Sequence, residues 1–298
     1  MKYDIKNLIP GKHFFIEGVS YIGKPRSNTA MFISKKVSGL LSRLNDVKEC
    51  LVYAEEGMDI PKELTDKHAF VLSLNPQMAY ARFATHFDSE RTEREKMLGF
   101  IQANGSVISA DSIISNDAYV EPGCIIGPDV QIGSNSIIKA GCILRHCTIG
   151  ENFLCNEQAV IGAKGFTITK DEKGNNYRIP TLGRVVIGDN VEIGVHDNIS
   201  CGSGGDTLID DWVKCDAMVH IGHDVHLCKN VEITAGTILG GFLEVGEGTR
   251  IGMGSVIRNR LSIGENAFIG MGSVVIRSVK QDTFVLGNPA TKVFSPQS

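Results

Sequence analysis

The sequence lacks any apolar run that approaches the roughly 20 residues needed to cross a bilayer. No apolar segment follows a basic start at Met1, so we expect no secretory leader, no membrane span and a soluble, cytoplasmic protein. A large excess of charge of one sign is also absent, because 30 Lys and Arg nearly balance 34 Asp and Glu, for a net charge of −4. This balance gives no electrostatic attraction to nucleic acid or anionic lipid, and we expect neither as a partner.

Closely spaced cysteines are absent as well. The chain has eight Cys but no C-x-x-C pair, so the spacing predicts small buried thiols and no metal site. No P-loop or Rossmann glycine pattern occurs in a strand–helix context, and no bound cofactor is expected. Hydrophobic residues make up 42% and charged residues 21%, which is typical of a globular protein. The length of 298 residues suggests roughly two domains.

Glycine, by contrast, is abundant at 33 residues, and it accompanies a repeat with a period of six. The repeat slips by one residue at Ile149, stops after Ile161, restarts at Ile187 and runs in phase from Ile209 to Val275. A six-residue unit with one inward aliphatic residue and a tight corner describes one face of a three-sided parallel β-solenoid. Three such units make one coil, so the chain predicts about eight coils stacked in the manner of parallel strands. Before the slip, the repeated positions are Ile108, Ile114, Val120, Ile126, Ile132, Ile138 and Leu144.

The rest of the chain divides around this repeat. Residues 1–88 alternate short apolar runs with turns, which indicates a small α/β domain. The charge-rich residues 89–100 are interpreted as a linker helix. The solenoid is predicted over 101–279, with a polar excursion at 163–184, and residues 280–298 form a C-terminal tail. The fold class is therefore mainly β, with an α/β domain in front.

Four segments carry a family resemblance. They are Asn75-Pro76 with Ala79-Tyr80-Ala81-Arg82, Ile161-Gly162-Ala163-Lys164-Gly165-Phe166, the stretch 179–188, and Ile221-Gly222-His223-Asp224-Val225. Together they resemble the UDP-3-O-acylglucosamine N-acyltransferases of lipid A synthesis, which are hexapeptide-repeat acyltransferases. The resemblance implies a left-handed parallel β-helix and a nucleotide-binding role for residues 1–88. It also implies a homotrimer with active sites in the clefts between neighbouring subunits.

Three departures from the family pattern bear on the substrates. Ile199-Ser200-Cys201-Gly202 stands where the family carries Ile-Asp-Arg-Gly, and no tyrosine follows Phe32 within a few residues. The family's helical C-terminal extension is missing, and the ending resembles acetyltransferases that acylate nucleotide-linked amino sugars from coenzyme A. The main interpretation is therefore N-acyl transfer from acyl-CoA to a dTDP- or UDP-linked amino sugar. The alternative is the lipid A enzyme itself, which takes a 3-hydroxyacyl group from acyl carrier protein.

The resemblance assigns the general base to His223. Amide formation from a thioester needs a group that removes the amine proton, and a histidine suits that role near neutral pH. Asp224 or a backbone carbonyl would fix the tautomer of the ring, and backbone N–H groups of the coils would stabilise the oxyanion. Without the family match, a surface or interface histidine is the simpler interpretation of His223.

A zinc site is the competing interpretation of the histidines. His220, His223 and His226 recur every third residue, as in the trimeric carbonic anhydrases of this fold. Zinc needs three or four ligands that converge at about 2.1 Å. His220 and His226 share a repeat position on successive faces, so they diverge within one chain. No metal is therefore expected, although convergence across a subunit interface stays open.

Substrate contacts are assigned to two groups of residues. Phe32 is the candidate for stacking on the nucleotide base, with an ordinary core position as the alternative. His196 and Asp197 are placed at the acceptor site of a neighbouring subunit, with an ordinary surface position as the equal alternative for His196. The loop and its return contribute Lys164, Phe166 and Arg184. For acyl-CoA, small residues of stacked coils would hold the pantetheine arm, and basic residues would meet the phosphates unless they form a solvated face. These donor-site residues are Gly252, Gly254, Gly270 and Gly272, with Arg258, Arg277 and Lys292.

Overall fold

The computed structural model describes residues 2–294, which form two compact units. The first unit comprises the chain up to Lys96 together with Phe166–Gly183 and Ser203–Gly205. The second comprises Met97–Gly165, Arg184–Gly202 and the chain from Asp206 onwards. The part of the predicted tail beyond residue 294 lies outside the described residues. Within residues 2–294, no helix has both the length and the hydropathy that crossing a bilayer requires.

The first unit is built on a four-stranded parallel sheet. Its central strands alternate their side chains between two apolar clusters, because Leu51 and Tyr53 face one cluster and Val52 and Ala54 the other. The strands, in order across the sheet, are Gly18–Val19, Thr29–Ile33, Leu51–Glu55 and Ala69–Ser73. The helices are the 3₁₀ segments Ile5–Asn7 and Lys35–Asp46 and the α-helices Lys62–Lys67 and Pro76–Lys96. An antiparallel pair, Tyr3–Asp4 with Phe15–Ile16, completes the N-terminal part.

A single helix, Pro76–Lys96, spans the predicted domain boundary at residue 88. Proline occupies its first turn, and the Asn75 Oδ1 atom accepts a hydrogen bond of 3.0 Å from the Met78 N–H, which caps the helix. Phe87 is buried against the sheet just before that boundary, so the helix continues through it to Lys96. Residues 89–96 of the predicted linker helix 89–100 are thus the last eight of a 21-residue helix, and the chain enters a strand at Phe100.

The predicted excursion at 163–184 contains an antiparallel hairpin that belongs to the first unit. Its strands are Ile168–Lys170 and Asn176–Arg178. Tyr177 and Ile179 join the apolar cluster of the first unit, and the Tyr177 hydroxyl lies 2.7 Å from the Thr85 hydroxyl. The Glu172 carboxylate accepts a 2.7 Å hydrogen bond from Arg82. The excursion therefore completes a core. A second short segment, Ser203–Gly205, also belongs to the first unit and was not predicted.

The second unit is the predicted left-handed β-helix, with three sheets that we call the first, second and third faces. The first face contains Phe100–Ala103, Ser106–Ser109, Ile125–Ile126, Ile143–Leu144, Val160–Ala163, Asn198–Ser200, His220–Ile221, Ile238–Leu239, Val256–Ile257 and Val274–Val275. The second contains Ile113–Ile114, Val130–Ile132, Cys147–Ile149, Val185–Ile187, Thr207–Ile209, His226–Leu227, Glu244–Val245 and Ser262–Ile263. The third contains Tyr119–Val120, Ile137–Ile138, Leu154–Cys155, Glu192–Ile193, Lys214–Cys215, Glu232–Ile233, Arg250–Ile251, Phe268–Ile269, Phe284–Leu286 and Thr291–Phe294.

The register of the strands confirms the six-residue repeat. Ile126 pairs with Leu144, 18 residues further on, and both side chains are fully buried. Ile132 pairs with Ile149, 17 residues on, which is the slip seen in the sequence. The eight strands of the second face agree with the predicted number of coils.

Many corner glycines are required because the backbone of the next coil lies too close for a side chain, and not because of unusual backbone angles. A Cβ atom on Gly133 would lie 2.4 Å from the carbonyl oxygen of Gly150 in the next coil, so no side chain fits there. Left-handed corners are often Asn or Asp instead, as at Asp129 (φ 59°) and Asn135 (φ 58°). Stacking of the coils thus accounts for the glycines that directly follow the inward aliphatic residues.

The cysteines agree with the prediction of small buried thiols. Cys142 and Cys155 are fully buried, with their Sγ atoms 3.5 Å apart. Seven of the eight are buried among the described residues, and Cys228 alone is half-buried. That difference makes Cys228 the thiol most accessible to a reagent in the folded protein.

Candidate active site

His223 and Asp224 form a dyad at the corner between the first and second faces. The His223 Nδ1 atom lies 2.8 Å from the Asp224 Oδ2 atom. A carboxylate only accepts hydrogen bonds, so Nδ1 carries the proton and the neutral ring has its lone pair on Nε2. The His223 side chain is 15% exposed and that of Asp224 is 1% exposed. The dyad therefore combines an oriented imidazole with a partly exposed side chain, as the predicted role of His223 requires.

The aspartate is held by the neighbouring coil. Asp224 adopts a left-handed backbone (φ 58°), and its N–H donates a 3.0 Å hydrogen bond to the Thr207 hydroxyl. The hydroxyl donates in turn to the Ser200 carbonyl at 2.7 Å, and Thr207 is fully buried. These two hydrogen bonds hold the backbone from which the Asp224 carboxylate reaches the imidazole.

The imidazole is enclosed by two glycines and an aromatic ring. A Cβ atom on Gly241 would lie 2.7 Å from His223 Cε1, and one on Gly165 would lie 2.8 Å from His223 Cβ. The Phe242 ring contacts the imidazole edge to face, with the centroids 5.1 Å apart, and the Arg260 guanidinium covers the other side of Phe242 at 4.2 Å. The ring of His223 is therefore fixed by shape as well as by its hydrogen bond.

We expect Gly241→Ala to lower turnover at least about ten-fold, because a displaced base loses much of its proton-transfer contribution. The methyl group would force the His223 ring away from its position. A matched control is Gly39→Ala, since nothing lies within 4 Å of a Cβ atom there. Steady-state kinetics of both variants check the prediction, and equal rates for Gly241→Ala and wild type would contradict it.

Comparisons with known proteins identify the family. The chain is 33% identical over 301 residues to UDP-3-O-acylglucosamine N-acyltransferase 2 of Legionella pneumophila (strain Paris), and the match covers 95% of this chain and 85% of the relative. The chain belongs to the UDP-3-O-acylglucosamine N-acyltransferase family. A Coxiella burnetii protein named UDP-3-O-acylglucosamine N-acyltransferase is 43% identical over 101 residues, which is 34% of this chain and 28% of the relative. The resemblance seen in the sequence is confirmed, and the protein is an acyltransferase.

Two family models and several solved structures match the β-helix of this N-acyltransferase family member. The models are the GMPPB C-terminal domain over residues 108–201 and the bacterial transferase hexapeptide (six repeats) over 243–277. The UDP-N-acetylglucosamine acyltransferase of Francisella novicida superposes with a TM-score of 0.60 at 24% identity, covering 65% of this chain and 70% of the other. The Campylobacter jejuni protein of that name gives 0.53 at 26% identity, covering 63% and 74%. These neighbours show the left-handed β-helical fold.

In this N-acyltransferase family member, the predicted substrate residue Arg184 is held by contacts within the solenoid. Its guanidinium donates to the Asp129 carboxylate and, at 3.0 Å, to the Thr148 hydroxyl. Burial opposes ionisation of Asp129, but the nearby His146 ring and the Arg184 guanidinium outweigh it and lower the pKa of Asp129 to about 2. These contacts anchor the chain where it returns to the solenoid, and the assignment of Arg184 to substrate stays a prediction.

Asp197 is buried in a turn of the solenoid, and its assignment to the acceptor site stays a prediction. It is 1% exposed, and its two oxygens accept hydrogen bonds from the Gly194 N–H at 2.8 Å and the Val219 N–H at 2.7 Å. His196, in contrast, is exposed at a left-handed corner (φ 60°) and stays a candidate for the acceptor site. The adjacent pair therefore divides into a buried turn residue and a surface residue.

The buried carboxyl group of Asp197 predicts a pH dependence of stability. Burial raises its pKa to about 6 from the ordinary 3.8, although the N–H hydrogen bonds of Val219 and Gly194 oppose the rise. The folded state therefore binds this proton more tightly than the unfolded state does. The resulting stabilisation is fully present below pH 4 and is lost as the pH rises through 6, which lowers the free energy of unfolding by about 2 to 3 kcal/mol. Asp197→Asn cannot titrate and should lose this slope in urea unfolding between pH 4 and pH 7. Equal slopes for variant and wild type would contradict the assignment.

The remaining acceptor candidates differ in exposure. Phe32 is half-buried, and its ring lies 5.3 Å from that of Tyr80, so both the stacking and the core interpretations stay open. Phe166 is 74% exposed with the Arg178 guanidinium 5.4 Å from its ring centroid, and Lys164 is exposed. An exposed aromatic ring is a suitable surface for a substrate.

The four candidate donor-site glycines fall into two kinds. A Cβ atom on Gly252 would lie 2.6 Å from the Met271 backbone nitrogen, so coil packing requires this glycine, whereas one on Gly270 would lie 2.5 Å from Leu286 Cδ1 and would displace that side chain. Gly254 and Gly272 have left-handed backbones and nothing within 4 Å of a Cβ atom, which leaves an open surface. The basic candidates beside it are all exposed, namely Arg258, Arg277 and Lys292.

The three histidines at three-residue spacing do not converge within the chain. His220 lies in the first face and His226 in the second, and each ring has its own partner. His220 Nδ1 lies 3.1 Å from Asn198 Oδ1, and His226 Nε2 lies 3.0 Å from Asp210 Oδ2. The predicted divergence of His220 and His226 is thus confirmed for one chain.

Sequence reasoning missed the residues that surround His223. Gly241 follows His223 by 18 residues, which is one coil of the repeat, and it lies directly against the imidazole. Thr207 precedes Asp224 by 17 residues and supports it from the coil before. The coil length was therefore a signal that could have found both residues.

Proposed function

We propose that the protein transfers an acyl group from a thioester to the amine of a UDP-linked 3-O-acylglucosamine. The observation that carries this proposal is the 33% identity over 95% of the chain to a relative of that name. It favours the alternative drawn from the sequence over the main interpretation, which joined acyl-CoA to a dTDP- or UDP-linked amino-deoxyhexose. The missing C-terminal extension supported that interpretation, and the named relatives outweigh it.

The His223–Asp224 dyad suits this chemistry. The amine nitrogen attacks the thioester carbonyl, a C–N bond forms, and the Nε2 atom of His223 takes the proton that the nitrogen loses. When the tetrahedral intermediate collapses, the C–S bond breaks and the imidazolium returns the proton to the leaving sulfur as a thiol. Asp224 stabilises the imidazolium between these two steps, since its carboxylate lies 2.8 Å from Nδ1.

The resemblance implies 3-hydroxyacyl carrier protein as the donor and a homotrimer as the working assembly. In this proposal the acceptor sites lie in clefts between subunits, with Phe32, Lys164, Phe166 and His196 as candidate contacts. The open surface at Gly254 and Gly272, with Arg258, Arg277 and Lys292, would meet the phosphopantetheine arm and its phosphate. A phosphopantetheine arm is common to acyl carrier protein and coenzyme A, so this surface is compatible with either donor. The cytoplasmic location expected from the sequence belongs to the same proposal.

A matched panel of donors and acceptors tests the function. We expect turnover with 3-hydroxyacyl carrier protein and UDP-3-O-acylglucosamine, measured as thiol release together with the mass of the N-acylated product. UDP-N-acetylglucosamine is the matched acceptor without an amine and should give no product. Turnover only with short acyl-CoA and a dTDP- or UDP-linked amino-deoxyhexose would overturn the proposal and restore the main interpretation from the sequence.

A further inference from the structure

A second cluster of reactive side chains lies on the second face of the solenoid, separate from the His223–Asp224 dyad. Asp210 and Cys228 each follow a strand of this face, and the pairing of Ile209 with Leu227 places them side by side in neighbouring coils. His226 belongs to the same strand as Leu227. One carboxylate oxygen, one ring nitrogen and the thiol sulfur of Asp210, His226 and Cys228 all lie within 4.8 Å of one another.

These distances suit a metal ion. Zinc binds imidazole nitrogen and carboxylate oxygen at about 2.0–2.2 Å and thiolate sulfur at about 2.3 Å, so two ligand atoms of a tetrahedral site lie roughly 3.3–3.8 Å apart. The His226 Nε2 and Asp210 Oδ2 atoms are 3.0 Å apart, and no two of the three ligand atoms are more than 4.8 Å apart. The observed separations therefore span the range that zinc requires. Small side-chain rotations would therefore bring the three groups onto one ion.

The surroundings of the cluster are polar and accessible. The His226 Nδ1 atom is enclosed and has no hydrogen-bond partner among residues 2–294, whereas the Nε2 atom of the same ring contacts Asp210. Glu244 is in register with His226 one coil further on, and it lines the same surface groove as Asp210 and Cys228. An ion could enter from this groove, and a second carboxylate lies close to the three ligands.

We propose that Asp210, His226 and Cys228 bind one divalent transition-metal ion, with zinc as the ion that this set of nitrogen, oxygen and sulfur ligands prefers. The site takes one ligand from one coil and two from the next. It shares only His226 with the His220–His223–His226 set considered from the sequence. The ion would join Asp210 of one coil to His226 and Cys228 of the next. Its role is to tie these coils together, since none of the three ligands belongs to the proposed catalytic dyad.

Cobalt spectroscopy of the full-length protein tests the site. After treatment with a chelator and its removal, wild type should bind one Co²⁺ per chain and show a thiolate-to-cobalt charge-transfer band. Cys228→Ser should lose that band, and His226→Ala should weaken binding at least about ten-fold, the lower range for perturbed metal sites. The control is His220→Ala, which occupies the same repeat position on the first face and should bind as wild type does. Absence of the band in wild type, or its persistence in Cys228→Ser, would overturn the proposal.

Thiol protection in the wild-type protein provides a readout that needs no variant. Cys228 is the half-buried thiol among the eight described, so a thiol reagent should react with it first in the folded protein. We expect Zn²⁺ to slow this reaction at least ten-fold, because a coordinated thiolate is a poor nucleophile, and Mg²⁺ to leave it unchanged, because Mg²⁺ prefers oxygen ligands. Equal rates with and without Zn²⁺ would contradict metal binding even if a variant failed to fold.

Discussion

His223→Ala should lower N-acyl transfer by about 10²- to 10⁴-fold, the range that positioned general bases contribute. The loss should fall on kcat with little change in KM, since the imidazole accepts a proton in the transition state and does not contribute to binding of the substrate in the ground state. His223 is 15% exposed and belongs to no apolar cluster, so its removal should leave the solenoid folded. Initial rates across donor and acceptor concentrations measure both constants.

Two further variants separate a lost base from a general disturbance. Asp224→Asn keeps the shape of the dyad but turns an acceptor into a partial donor, so we expect a smaller loss than for His223→Ala. His86→Ala removes an exposed histidine that contacts Glu90 on the helix Pro76–Lys96, and its rate should match wild type. A His223→Ala enzyme that retains more than a tenth of wild-type kcat would exclude His223 as the base.

Gly162→Ala should destabilise the protein by at least about 3 kcal/mol, the sum of an unfavourable left-handed backbone and overpacking against rigid neighbours. Gly162 has φ +90°, and its Cβ position lies 1.7 Å from the carbonyl oxygen of Arg145. It stands where the pairing of Val160–Ala163 with Asn198–Ser200 shifts register, so the backbone has little room to adjust. Urea unfolding should show a clearly lower midpoint for the variant.

Gly254→Ala is the matched control for this effect. Gly254 also has a left-handed backbone (φ +66°), but nothing lies within 4 Å of its Cβ position. We therefore expect only the backbone contribution, about 1 kcal/mol. Similar midpoints for the two variants would show that the contact with Arg145 is relieved at little cost.

The solenoid was predictable because its period is local and its inward positions are strict. Ile126 and Leu144 could be paired from their 18-residue spacing alone, and even the slip at Ile149 appears as a 17-residue step. Family resemblance then added the handedness and the role of His223, which periodicity does not contain. Such agreement between local pattern and global register is what a repeat architecture makes possible.

Sequence reasoning missed structural roles where a residue's partner is distant in sequence. Arg184 contacts Asp129, 55 residues earlier, so nothing near it in the chain indicates that its charge is already satisfied. Asp197 caps the N–H of Val219 in the next coil, which removes it from the surface. The helix likewise continues through residue 88 because Phe87 is buried against the sheet. The local charge pattern does not reveal this burial. In each case a tertiary contact outweighed the local signal.

The composition of the first unit also constrains when it can fold during synthesis. Its apolar cluster includes Ile179, and the unit takes in residues up to Gly205, more than one hundred positions beyond its helix Pro76–Lys96. The N-terminal segment therefore leaves the ribosome with an incomplete core, and it waits while several coils of the β-helix are made. We conclude that a fragment ending at Lys96 is a poor substitute for the unit, whereas a chain that extends to Gly205 contains all of its parts.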